Sequence, residues 1–368
     1  MNSLVLKLAR AKSNSFNQET VRGVVQTYMP FILIFLLYVL TANLLTAFYD
    51  MAGYVSYRIY KAPYYLVFLA ILLVKAVSHF AANRGDALSE EAYQELYDDW
   101  LKPSSMVKIL IPFVLVTVLM SIFSSLKTIL PQVNPFYLDQ TFYKLDQILH
   151  FGYNPWEITH ALFGSVTATT LIDFCYRMWF LALLVNTVWM IINYKLGKLH
   201  HQYLVAYGLC WVLLGSFLAI ALSSAGPCFY GSVVDGPDVY APLMERLREI
   251  SATIGNTPQS YGLTALNYQA VLWYYYTDDY LGIGSGITAM PSMHVSFAML
   301  LYLSGRTFGK LFGYIFLAYL VIIQIGSVHL GWHYALDGYV SMIGTWMIWR
   351  FSGWLVDRYS VARAAEAA

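Results

Sequence analysis

The chain has 368 residues, of which 58% are hydrophobic and only 12% charged, and its formal net charge is +1. A soluble domain carries about 25% charged residues, so most of this chain belongs in lipid rather than water. The balanced charge, with no long basic tract, excludes nucleic acid as a natural partner.

Residues 1–28 are polar and read as a cytoplasmic N-terminal segment with no cleavable signal pattern. A spanning helix needs about 20 apolar residues. By that measure the sequence predicts eight spans, at about 29–50, 63–82, 106–130, 168–193, 202–223, 289–305, 311–330 and 338–356. The expected fold is an all-α integral membrane protein with about eight transmembrane helices. Residues 29–105 form a two-helix extension, 106–356 a six-helix catalytic core, and 357–368 a cytoplasmic tail. The sixth span is the shortest and holds a His near its start. The 31 Tyr and 10 Trp suit aromatic belts at the two interfaces. Cys175 and Cys210 fall in apolar runs and, with Cys228, show neither disulfide nor metal-ligand spacing.

Positive charge marks the cytoplasmic side. Counting crossings, one side receives Lys7, Arg10, Lys12, Arg22, Arg84, Lys102, Lys195, Lys198, Arg306, Lys310, Arg350, Arg358 and Arg363. The other receives only Arg58, Lys61, Lys144, Arg246 and Arg248. Both termini are therefore expected to be cytoplasmic in a multi-pass protein, with a bacterial inner membrane as the expected location. Two long segments on the opposite side, Pro131 to Thr167 and Ser224 to Thr288, are rich in Pro, Gly and aromatics. They lack a strong helical pattern and are expected to lie along the bilayer surface and roof a site. The Tyr274–Tyr276 run reads as an interfacial anchor, and the acidic stretch from Asp86 to Asp99 as a solvated turn.

Chemistry concentrates in two stretches, Ser285–His294, which ends Met290-Pro291-Ser292-Met293-His294, and His329-Leu-Gly-Trp-His333-Tyr-Ala-Leu-Asp337. One predicted helical hairpin separates them, so both end on the same membrane face. His333 and Asp337 are four apart and share a helix face. An Asp beside an imidazole fixes its tautomer and stabilises the imidazolium, as a nucleophilic or basic His requires. His294, delivered from the other stretch, can protonate a leaving oxygen. Ser292 and the backbone N–H groups near Gly286 and Ser292 can hold phosphate oxygens at a helix start. A metal reading stands beside this one, because His329 and His333 have a zinc-ligand spacing with Asp337 or His294 as further ligands. On the alternative reading, His329 is an interfacial or supporting residue.

The pattern Pro291-Ser292-Met293-His294 followed by His333-x-x-x-Asp337 resembles the type-2 phosphatidic acid phosphatase superfamily. That superfamily includes lipid phosphate phosphatases and inositol phosphorylceramide synthases. The resemblance implies a six-span core over roughly 106–356, attack by His333 on phosphorus to form a phosphohistidine, support by Asp337 and general acid catalysis by His294. The family's usual basic residues are absent. Ala219 and Gly226 stand at the basic places of the first motif, before Pro227, and Gly326 with Ser327 at the Ser-Arg of the third. Met293 replaces the usual Gly of the second motif. The Met-Pro-Ser-Met-His style is similar to that of bacterial relatives of inositol phosphorylceramide synthase.

Other charges are candidates for the missing grip. Arg177 lies within the fourth span, where an ionisable residue is a functional hypothesis by default, and Arg suits phosphate. Asp173 is one turn earlier, so an internal salt bridge explains both equally well. Asp146 can orient a polar acceptor or pair with a cation. Lys75, His79 and Lys127 lie near span ends and read as snorkelling side chains. The expected activity is transfer of a phosphorylated headgroup from a lipid donor to an alcohol through His333. Hydrolysis with water as acceptor is the alternative, and a lipid flippase is the rival from another class. No metal or cofactor is required, and the oligomeric state is open.

Overall fold

The computed structural model describes residues 18–51, 53–82, 94, 97–255 and 262–366, and among these it is helical with no strand. Lys7, Arg10, Lys12, Arg84 and most of the acidic stretch that begins at Asp86 lie outside the described residues.

A short helix α1 (Gln18–Thr27) leads into α2 (Met29–Phe48) and α3 (Lys61–Ala82). The helix α4 (Pro103–Val133) follows, then two short helices, α5 (Asp139–Leu149) and α6 (Pro155–Phe163). Next come α7 (Val166–Ile192) and α8 (Lys198–Leu209), the latter continuing through a wide π-turn segment, Cys210–Leu218, to Ala221. Apart from one-turn segments, the remaining helices are α9 (Ala241–Gly255), α10 (Thr264–Thr277), α11 (Met293–Gly305), α12 (Lys310–His329) and α13 (Ala335–Glu366).

Six of these, α2, α3, α4, α7, α8 with its extension, and α12, are long and apolar enough to cross a bilayer. The eight expected spans differ from this at two places. The sixth, α11, has only 13 residues, about 20 Å at 1.5 Å per residue, short of a ~30 Å hydrocarbon core. It lies inside the bundle, nearly all of it buried, packed against α12 and α13. Its neighbours and not lipid satisfy its surface, so it needs no full span. The eighth, α13, is a single helix of 32 residues but is less apolar than the other spans.

The long segments expected as irregular loops carry four of the helices, α5, α6, α9 and α10. Each is 9 to 15 residues long. Such lengths fall below any spanning window, and the Gly and Pro residues between them hide their period. Their starts are specified locally. Pro155 begins α6 at a position where a missing N–H costs nothing, and the Glu157 carboxylate accepts the Asn154 N–H at 3.1 Å. Ser165 caps α7 by accepting the Ala168 N–H at 3.2 Å.

Three buried aspartates tie these roof helices to the bundle. Asp173 of α7 accepts the N–H groups of Thr264 and Ala265, both at 2.9 Å, and so caps α10. Asp146 of α5 does the same for α13, and Asp139 for the segment at Ala225 and Gly226. A buried carboxylate without such donors would cost several kcal/mol. A helix N-terminus supplies unpaired N–H groups and a favourable dipole.

Two adjoining cavities, of about 330 and 260 Å³, lie at the opposite end of the bundle and share Thr27, Tyr28 and His201. Neither contains a residue of the His294 or His333 motifs, so the chemistry rather than the volume locates the candidate site.

Candidate active site

The α11 start and the α12–α13 turn meet at one end of the bundle, under the roof helices. Ser292 is the N-cap of α11, its hydroxyl accepting the Val295 N–H at 3.4 Å, while its own N–H donates to Asp337 O at 3.3 Å. The two motifs are thus joined directly through the backbone. Met293 fits beside Gly215 in the π-turn segment of α8. A Cβ added at Gly215 would stand 3.2 Å from the Met293 sulfur. The larger residue in this motif is therefore matched by a small one on the helix it faces.

His333 lies in the turn between α12 and α13. Its backbone N–H and that of Trp332 both donate to Ser327 O at 3.0 Å. Its Nδ1 lies 2.9 Å from Ala289 O and 3.1 Å from Asp337 Oδ2. Both partners are acceptors, so Nδ1 carries the proton and Nε2 keeps a free lone pair. The same Asp337 oxygen accepts the Tyr334 N–H at 3.0 Å, which fixes the carboxylate against the ring. Burial pushes His333 down to about 3; the Ala289 carbonyl opposes this and the Lys127 ammonium adds to it. The ring is therefore neutral at ordinary pH, and its Nε2 can act as a base or a nucleophile.

The His294 ring faces His333, centroid to centroid 5.8 Å. Tyr176 stacks on it at 4.6 Å and Trp179 packs at 4.2 Å, while the Trp179 indole N–H donates to His294 O at 2.9 Å. Among the described residues the His294 ring nitrogens make no hydrogen bond. The ring is held by packing alone.

Around this pair the turns are held from several sides. Ala289 N–H donates to Ser224 O at 2.9 Å, Cys228 N–H to Gly331 O at 2.8 Å, and Gln269 Nε2 to Leu330 O at 2.9 Å. Asp139, not singled out in the sequence, accepts from the backbone of Ala225 and Gly226 and from the Tyr334 hydroxyl at 2.8 Å. Burial pushes its carboxyl above the usual range, and these donors pull it back. Helical periodicity alone does not mark it, since its donors come from segments about 85 and 195 residues away.

The remaining expected site residues separate. Gly226 lies in this cluster, but its N–H is given to Asp139 at 2.8 Å. With φ at +99° and Trp332 O 2.7 Å from where a Cβ would be, it admits no side chain. Ser327 is buried, with its hydroxyl on Ile323 O at 2.8 Å and its carbonyl holding the His333 turn. Asp146 caps α13 and reaches neither histidine.

His329 turns away from His333 and stacks on His160 at 3.8 Å, with Nε2 2.9 Å from the Thr169 hydroxyl. The two histidines of the zinc-ligand spacing thus serve different surroundings. Arg177 is exposed, with its guanidinium over the Phe174 ring and a 3.4 Å hydrogen bond to Thr264. Asp173 spends both oxygens on α10, so the alternative Arg177–Asp173 salt bridge does not form.

A family model described as the PAP2 superfamily matches residues 140–351. No curated protein and no solved structure matches the chain. The matched region covers more than half of the sequence and contains His294, His333 and Asp337, and the chain belongs to the PAP2 superfamily, whose members are phosphatases and phosphotransferases.

Proposed function

We propose that this protein is a membrane lipid phosphotransferase that moves a phosphorylated headgroup from a lipid donor to an alcohol through a phosphohistidine on His333. The observation that carries this reading is the His333 imidazole, with its Nδ1–H held by Ala289 O and Asp337 and its Nε2, without a hydrogen-bond partner among the described residues, beside His294.

In the first half-reaction the Nε2 lone pair attacks phosphorus, the P–O bond to the lipid breaks, and His294 gives its proton to the leaving oxygen. A bound phosphate anion favours the protonated His294 needed for this step. As the N–P bond forms, His333 becomes positively charged, and Asp337 stabilises that charge. In the second half-reaction neutral His294 takes a proton from the acceptor hydroxyl, oxygen attacks phosphorus, and His333 leaves as neutral imidazole. If water takes the acceptor's place the outcome is hydrolysis. The roof helices, with Phe229, Ile287, Trp273 and Tyr276 packed in a separate small apolar cluster, support transfer, because they limit the access of bulk water.

The test is to supply labelled phospholipids and polyprenyl phosphates to the purified protein, with and without polyols, and separate the products. Capture of label by an alcohol is expected. Rapid hydrolysis with no capture under any acceptor would make the protein a phosphatase, and movement of lipid without any covalent product would make it a flippase. The outward orientation of the site, away from the cytoplasm, is part of the same proposal and rests on the Lys and Arg asymmetry.

A further inference from the structure

The proposed reaction needs positive charge at the phosphate, and the usual motif positions supply none. Lys127 meets that need from an unexpected element, the last turns of α4. The Ser285–Gly286 turn lies directly against it. The Ser285 and Thr128 hydroxyls are 2.8 Å apart, and a Cβ on Gly286, which has φ +85°, would stand 2.4 to 2.6 Å from the Lys127 carbonyl group and the Thr128 nitrogen.

Local sequence explains the approach. Pro131 has no N–H to give the Lys127 carbonyl four residues earlier, so the helix is open where the turn packs. The Lys127 side chain lies within electrostatic range of both His294 and His333. Among the described residues it makes no hydrogen bond and no ion pair. An ammonium half-buried without a carboxylate lowers stability, and a bound anion is its natural partner.

Neutral donors in the same place are also unspent. Among the described residues the Trp332 indole nitrogen and the Thr288 hydroxyl are buried without hydrogen-bond partners, and the Tyr176 hydroxyl has only a loose approach to Ser327, short of a hydrogen bond. Tyr176 stacks on His294 and lies parallel to Trp332 at 6.3 Å. Trp332 directly precedes His333, and Thr288 directly precedes the Ala289 whose carbonyl holds it. Buried polar groups are nearly always paired, so such a cluster marks a place where a ligand supplies the missing acceptors.

We infer that Lys127 is the phosphate-binding cation of this site, and that with Tyr176, Trp332 and Thr288 it forms a one-cation grip suited to a phosphodiester monoanion. This rests on the phosphotransfer reading and deepens it. A monoester dianion carries a second charge that these neutral donors cannot balance. The phosphodiester keeps one negative charge and is held by one ammonium and hydrogen bonds. Arg177, on the exposed face, has no part in the grip.

The experiment uses sodium orthovanadate, which takes a histidine nitrogen as a fifth ligand and so mimics phosphorus under attack. Binding to the full-length protein in detergent is followed by tryptophan fluorescence, since Trp179 and Trp332 flank the site. Wild type is expected to bind and His333→Ala to lose binding. Lys127→Met should weaken it on the order of 10- to 100-fold, the range of one charge-assisted hydrogen bond. Lys127→Arg keeps the charge and should retain part of the affinity, and Arg177→Ala should bind as wild type does.

The thermal midpoint of Lys127→Met should be unchanged or higher, because an unpaired ammonium is removed. If it unfolds, the comparison of Lys127→Arg with Lys127→Gln decides, and equal affinity in the two overturns the assignment. Undiminished vanadate binding by folded Lys127→Met overturns the Lys127 inference alone. Failure of wild type to bind, or binding that survives His333→Ala, overturns the phosphotransfer reading and this inference with it.

Discussion

The Asp146 carboxylate accepts the Ala335 N–H at 2.7 Å with one oxygen, while the other accepts the Leu336 N–H at 2.9 Å. A roof helix therefore fixes the first turn of the helix that carries Asp337, two residues after His333. Burial pushes the Asp146 carboxyl upward, and the two donors pull it back. Asp146 is a positioning residue: it touches neither histidine and acts through α13.

Asp146→Ala should cost about 1 to 2 kcal/mol of stability, as for loss of a helix cap. It should also lower kcat by up to about 100-fold, because small misplacements of reacting groups have that effect. KM for the lipid should change much less. Asp146→Asn, which keeps one acceptor oxygen, should recover part of the rate. A KM effect as large as the kcat effect would mean that Asp146 contacts substrate instead.

Much of this arrangement is legible in the sequence, and the remainder is not for physical reasons. The His333–Asp337 contact follows from a four-residue spacing, and the shared face of His294 and His333 follows from one intervening hairpin. The six long spans follow from apolar runs. The length of α11 does not, because a buried helix and a spanning helix look alike in composition, and only packing shows that α11 faces protein. Lys127 reads as a snorkelling span-end residue, since nothing in the one-dimensional pattern shows the Gly286 turn folding onto it. Arg177 reads equally as a phosphate ligand or as the partner of Asp173, because the sequence does not show that its helix turns Tyr176 inward and leaves Arg177 exposed, with Asp173 bound to α10.

A pH-dependent stability change should arise at His160. Its Nε2 donates to His329 O at 2.9 Å and its Nδ1 accepts from Arg246 at 3.0 Å, so the ring is neutral in the fold. Burial holds its pKa below the usual value, the His329 carbonyl opposes this, and the Arg246 charge adds to it. The unfolded chain takes up a proton near pH 6.5 that the folded ring resists. Stability from this group is thus present above pH 6.5 and is lost as pH falls below it. Asp139 and Asp146, pushed upward, act in the opposite sense at lower pH. The readout is therefore the difference between wild type and His160→Gln in thermal midpoint from pH 8 to pH 5. The gap should narrow on acidification, and a constant gap would remove His160 as the cause.

Orientation is tested by labelling. Cysteines placed between Ser232 and Asp238 should react with a membrane-impermeant thiol reagent outside intact cells, and cysteines placed between Thr307 and Gly309 should not. Thr307–Gly309 follows the C-terminal end of α11, whereas Ser232–Asp238 follows the segment whose Cys228 N–H donates to Gly331 O, two residues before His333. The reverse pattern would place the chemistry at the cytoplasmic surface and leave the charge asymmetry unexplained.

The two histidines should separate by leaving group. On the proposed mechanism His333→Ala removes the atom that would bond to phosphorus, so both half-reactions should be lost for every donor. On the same mechanism His294→Ala removes the proton source, which is typically worth about 100- to 10,000-fold. That loss should be largest for donors whose leaving group is a lipid alkoxide, which needs protonation as it departs. It should nearly vanish for an activated donor with a nitrophenolate leaving group, which departs as a stable anion. The structure bears on this contrast, because the His294 ring nitrogens have no partner among the described residues while the ring is clamped by Tyr176 and Trp179. Removing the ring also removes that packing, so the activated donor serves as the control for a disturbed site. If His294→Ala slows the nitrophenyl donor as much as the lipid, His294 holds the site together and is not the acid.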